Sequence, residues 1–146
     1  MNCSHRYWDR LKSLKLYSLE RRRERYKIIY IWKILEGMVP NLDGRSKIHT
    51  KSSLRYGRMC HVPSQSSSKR RLEALRNGSF CINGPMLFNT LPSHIRNLKG
   101  VELTDFKKEL DSFLKTVPDE PLCRGYTAGR RAVSNSLLHM VPVRGQ

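Results

Sequence analysis

The chain is 146 residues long, the size of one domain, and carries 28 Lys and Arg against 12 Asp and Glu, a formal net charge of +16. It has no run of about 20 apolar residues, which excludes a membrane-spanning helix. The charged start, Met1 to Arg10, is not followed by the apolar core of a secretory signal.

A first helix is predicted from about Ser4 to Leu16. Tyr7, Leu11 and Leu14 recur at i, i+4 and i+7, with Trp8 widening the stripe and Ser4 as N-cap. A second helix is predicted from Leu19 to Glu36. Ser18 is its N-cap, Glu20 suits the positive end of the dipole, and Gly37 and Pro40 end it. Its first half is mostly charge; its second half, Ile28 to Leu35, is apolar nearly all round and needs burial on several sides. The run Ile28-Ile29-Tyr30-Ile31 also suits a strand, but the caps and the length favour helix.

Residues 40–79 are rich in Ser, Gly, Arg and Lys, and flexible loop is the expectation for most of them. A hairpin over Ile48 to His61 has weak alternation. Two short helices are expected at about 85–91 and 93–98, with Pro85 at the first helical position of the former. The clearest element starts at the N-cap Thr104. Phe106, Leu110, Phe113, Leu114 and Val117 form one stripe, Asp111 precedes Lys115 by four, and Pro118 stops the helix. The tail, 118–146, lacks a sustained period and is expected to be disordered, with Val133 to Val141 able to make a turn or two.

The fold class expected is therefore mainly α: a small helical module with a disordered basic insertion and a disordered tail. Residues 1–39 supply a helical pair. The 80–117 helices pack on it, with the 104–117 helix against the 19–36 helix.

The positive charge lies in two blocks. Residues 1–36 hold ten basic and four acidic side chains, and residues 45–76 hold nine basic and one acidic. Such blocks point to a polyanion, with RNA or DNA backbone as the expected partner. The candidate phosphate-binding residues are Arg21, Arg22, Arg23 and Arg25 on the second helix, and Lys69, Arg70, Arg71 and Arg76 in the flexible arm. Guanidinium forks match phosphate oxygens through paired N–H donors. The competing reading of Arg21 to Arg25 is a solvated face paired with Glu20 and Glu24. Tyr26, Tyr30 and Trp32 lie among isoleucines, which favours core packing over a base-stacking platform.

Cys3, Cys60, Cys81 and Cys123 are widely separated, without zinc spacing, so free thiols in a reducing compartment are expected and no metal. Cys60-His61 are neighbours in a basic loop and lack the third group of a nucleophilic triad. No cofactor is expected, and the localisation expected is nuclear or cytoplasmic.

Several pieces, in order, resemble a known family. They are Tyr7-Trp8-Asp9-Arg10-Leu11, Leu16-Tyr17-Ser18-Leu19-Glu20-Arg21-Arg22-Arg23, Tyr26-Lys27 and Lys33-Ile34-Leu35-Glu36-Gly37. They continue with Phe88-Asn89-Thr90-Leu91-Pro92 and Phe106-Lys107-Lys108-Glu109-Leu110-Asp111-Ser112-Phe113-Leu114. Together they look like the region after the reverse-transcriptase domain in jockey-like non-LTR retrotransposons of the LINE type. The resemblance covers about residues 6–117, with Phe88 standing where the family has Trp. It implies a C-terminal fragment of an RNA-directed DNA polymerase, with the polymerase domain as a possible partner. The family's catalytic carboxylates, which hold two metal ions, sit on an Asp-Asp motif. This chain has no Asp-Asp pair, and Asp119-Glu120 does not map to that motif, so no catalysis is expected. A structural module docking on the polymerase, or a non-functional remnant of such an element, are the alternatives.

Overall fold

A helix whose apolar half needs cover on several sides organises the protein. In a computed structural model the described residues are 3–63, 70–120 and 135–141. The element order is α1 (Cys3–Ser13), α2 (Leu19–Leu35), β1 (Thr50–Ser53), β2 (Gly57–Cys60), α3 (Arg70–Gly78), α4 (Phe80–Asn89), α5 (Ser93–Arg96), α6 (Leu103–Thr116) and α7 (Leu137–Met140). The fold is mainly α.

α2 begins where Ser18 Oγ accepts the Arg21 N–H at 3.2 Å, and ends before Gly37, whose φ of 72° suits a residue without Cβ. Ile28, Ile29, Ile31, Trp32 and Ile34 are all buried. α4 packs across α2 most intimately. Its Gly84 explains how, since a Cβ there would meet Ile31 Cδ1 at 2.8 Å. α6 covers another side. Phe106 stacks on Trp32 with centroids 4.5 Å apart, and Leu110 and Leu114 continue the buried stripe. The Trp32 indole N–H donates to the Leu98 carbonyl at 3.1 Å, so the buried donor is satisfied.

Several expectations are corrected. α2, rather than pairing chiefly with the 104–117 helix, is packed most closely by α4. That helix starts at Phe80, not at 85, so Pro85 lies inside it; the Ile82 and Asn83 N–H groups reach back to the Ser79 carbonyl. α6 starts at Leu103, with Glu102 at the N-cap position and without a side-chain cap bond, so Thr104 lies inside the helix. Asp111 pairs with Arg25 instead of Lys115, at 2.6 and 2.8 Å. Of the stripe expected on the first helix, Tyr7 and Leu14 are exposed, Leu14 lying past the end of α1, while Trp8 and Leu11 are half-buried.

The described parts of 40–79 are also more ordered than a flexible loop. β1 and β2 form an antiparallel hairpin with Thr50 opposite Cys60. In that register the N–H and C=O of Cys60 point away from β1. Asn89 takes both, accepting the Cys60 N–H at 2.8 Å and donating to its carbonyl at 2.9 Å. Two residues back, Arg58 N–H donates to Asn97 Oδ1 at 2.9 Å, and Arg96 donates to the Arg58 carbonyl at 3.2 Å. The open edge of β2 is thus closed by side chains, a common remedy for an unpaired strand. The Arg58 guanidinium is buried, donating to Glu36 at 2.9 Å and to the Leu98 carbonyl at 3.1 Å.

The described part of the tail is likewise packed rather than disordered. Asp119 accepts from Ser18 and from Asn135, joining both sides of the 121–134 segment to the start of α2. Ser136 donates to the Glu24 carboxylate, and the Leu137 N–H reaches the same group at 3.0 Å. Leu137 is fully buried in the core, which stabilises the docking by about 2 kcal/mol.

Candidate nucleic-acid interface

The arginines expected to act together are sorted by the helix. At 3.6 residues per turn, Arg21 and Glu24 fall on the inward side of α2 with Ile28, Ile31 and Trp32. Arg21 is fully buried. Its Nη2 donates to the Pro118 carbonyl at 2.9 Å and to the Asn135 carbonyl at 3.0 Å, and its Nε lies 3.7 Å from Asp119. It is therefore a structural tether, with no face for a phosphate. Glu24 does not pair along the helix surface either. It is buried against Ser136 and Leu137, and burial pushes its carboxyl above the ordinary 4.5, while the hydrogen bonds from Ser136 and Leu137 act the other way.

Arg25 is half-buried and engaged in a two-point pair with Asp111. Its guanidinium also sits 6.0 Å from the Tyr26 ring centroid, within cation–π reach. Arg22 and Arg23 are the members of the cluster that stay exposed. In the second block, Lys69 lies outside the described residues. Arg70 is the first residue of α3, Arg71 is exposed, and Arg76 donates to the Pro63 carbonyl.

The aromatic expectation divides the same way. Trp32 is core, but Tyr26 is 66% exposed and Tyr30 46%. Arg22, Arg23, Tyr26 and Tyr30 share an arc of about 100° on the outer face of α2. No carboxylate lies on that arc. Beside it, Tyr26, Lys27, Tyr30 and Phe80 line a shallow, open depression whose walls are almost entirely carbon. Tyr30 meets Phe80 edge to face at 5.5 Å, and the Lys27 ammonium donates to Asn83 at 2.8 Å on the rim. Sequence reasoning assigned these tyrosines to the core because isoleucines surround them. The angular position of residues 26 and 30, opposite 28 and 32, was the signal that separates them.

Cys60 offers no nucleophile. It is buried, and burial pushes its thiol up to about 12, so it keeps its proton at neutral pH. His61 stacks on His49 across the hairpin at 4.7 Å. Among the described residues no three His, Cys, Asp or Glu side chains are grouped to hold a metal ion, and no helix is long and apolar enough to cross a membrane.

Of the segments that carry the family resemblance, the two later ones supply core residues. Phe88 and Leu91 are buried, Asn89 clamps β2, and Phe106 stacks on Trp32. Neither protein-family models, nor curated proteins, nor solved structures give a match to the chain.

Proposed function

We propose that this chain is a nucleic-acid-binding accessory module. It holds the phosphate backbone of RNA or DNA without sequence preference, and it derives from the region after the reverse-transcriptase domain of a jockey-like LINE-type element. The observation that carries the binding reading is the outer face of α2, where exposed Arg22 and Arg23 stand beside exposed Tyr26 and Tyr30 with no carboxylate among them. Exposed Arg71, which follows Lys69 and Arg70 in the sequence, is a second positive group. The ordered motifs between residues 6 and 117 support the origin. The reading assigns the chain no catalytic step and a nuclear or cytoplasmic place of action.

A salt series on a labelled RNA tests it. Affinity is expected to fall steeply and linearly in log–log form as salt rises, with a slope near −0.7 per phosphate neutralised on a single strand. Reversing both charges, Arg22→Glu with Arg23→Glu, is expected to flatten that slope and weaken binding at least tenfold. Binding that ignores salt, or no binding at low salt, refutes the proposal.

A second reading, a module that docks on the polymerase domain, is favoured by α3. Leu72 and Leu75 stand exposed three residues apart on that helix. Binding of the isolated polymerase domain that is lost with Leu72→Asp and Leu75→Asp, while RNA affinity is kept, separates the two surfaces.

A further inference from the structure

Charge alone does not account for the outer face of α2. A surface that only neutralises phosphates needs cations, and apolar rings between them add nothing to it. Here both rings are exposed, and each has a neighbour on one side. Tyr26 lies under the Arg25 guanidinium, which Asp111 fixes through two hydrogen bonds. Tyr30 is braced edge to face by Phe80, which α4 supplies. Between them is the carbon-walled depression, rimmed by Lys27 and flanked by Arg22 and Arg23 one turn earlier on the same helix. An open aromatic surface beside cations is the arrangement that accepts a π-face and its attached phosphate together.

We infer that this face takes nucleic acid as an unpaired strand: a base stacks against Tyr26 and Tyr30 while Arg22, Arg23 and Lys27 hold the neighbouring phosphates. The inference rests on the nucleic-acid reading above and names its substrate class. A duplex keeps its base faces inside the stack, where a shallow platform cannot reach them. The platform contains no group arranged to read base edges, so any base serves.

Three ligands separate stacking from charge when bound to the full-length chain: an oligoadenylate strand, the same strand paired with oligouridylate, and inorganic polyphosphate of matched charge. The single strand is expected to bind about tenfold tighter than either of the others, the scale of one stacked base. Tyr26→Ser and Tyr30→Leu, separately, are expected to remove that advantage, leaving polyphosphate affinity and the salt slope unchanged. Tyr26 is mostly exposed, so its variant keeps the fold; far-ultraviolet circular dichroism checks both. A deoxyadenylate strand distinguishes DNA from RNA, and comparable binding of the two is the expected result for a platform that reads only base faces. A strong preference for one sugar overturns that assignment. If both tyrosine variants bind the single strand like the parent, or the duplex binds as tightly, the stacking inference falls. The charge reading survives that result when Arg22→Glu with Arg23→Glu still weakens binding at least tenfold and flattens the salt slope. Failure of all three ligands at low salt overturns both.

Discussion

Replacing Arg21 by Met separates the structural arginine from the binding ones. Arg21 is fully buried and spans two distant segments through the Pro118 and Asn135 carbonyls, at 2.9 and 3.0 Å. Met matches much of the aliphatic volume but donates nothing. Each lost bond from a charged donor is worth about 1.5–3 kcal/mol, and each orphaned buried acceptor adds a cost of similar scale. Against this, burying a guanidinium whose Nε reaches Asp119 only at 3.7 Å carries a desolvation penalty that the variant escapes. The balance is a destabilisation of about 2–4 kcal/mol, a large share of the roughly 5–15 kcal/mol available to a domain. Urea unfolding followed by circular dichroism reads it directly. Hydrogen exchange should localise it, with the Leu137 N–H losing protection first because its segment is docked through Asn135 and Glu24. In conditions where the variant remains folded, its nucleic-acid salt slope should equal the parent's. A stability change within about 0.5 kcal/mol, the range of ordinary surface substitutions, refutes the tether. So does a slope reduced by one phosphate.

Three further outcomes are expected. Burial raises the Glu24 carboxyl above 4.5, so the folded chain holds that proton more tightly than the unfolded one. Its stabilising contribution is complete below pH 4.5 and is lost as pH rises through the raised value; the parent should therefore lose stability relative to Glu24→Gln across that window, and an equal pH profile for the two contradicts the assignment. Gly84→Ala forces a Cβ to 2.8 Å from the buried Ile31 Cδ1 and should destabilise by about 1–3 kcal/mol; an unchanged urea midpoint means that α2 and α4 are not this close. Asn89→Ala leaves the Cys60 N–H and carbonyl without their partner and should cost about 1–3 kcal/mol, with faster exchange at the Cys60 amide as the diagnostic.

Legibility in the sequence followed how local each cause was. The start of α2 depends on Ser18 and its end on Gly37, both beside the helix, and the Phe106, Leu110, Leu114 stripe depends on spacing alone. Those features were read correctly. The hairpin over Ile48 to His61 showed only as weak alternation, because its stability comes from far away: Asn89, Arg96 and Asn97 close the edge of β2 from segments about 30 to 40 residues on. Pro85 misled for a related reason. Pro85, the sixth residue of α4, gives up one backbone bond and crowds the carbonyl four residues back, yet it is buried and the helix continues through it. The tail reads as polar and aperiodic, yet Leu137 packs into a core beside α4, and its N–H reaches Glu24, more than a hundred positions earlier.

The same distinction changes what the positive charge means. A count of basic residues treats Arg21, Arg58 and Arg96 as surface cations, but all three are buried and donate to backbone carbonyls of other segments. Arg25 is held by Asp111 as well. These side chains bind the fold's own oxygens by the chemistry that would otherwise bind a phosphate, so the density of arginine in a stretch says little about where a polyanion lands. Angular position on α2 says more. It turns Arg21 and Glu24 inward and leaves Arg22, Arg23, Tyr26 and Tyr30 outward. On this argument a charge reversal at Arg21 should act on stability and one at Arg22 on binding, although the two residues are adjacent in the chain.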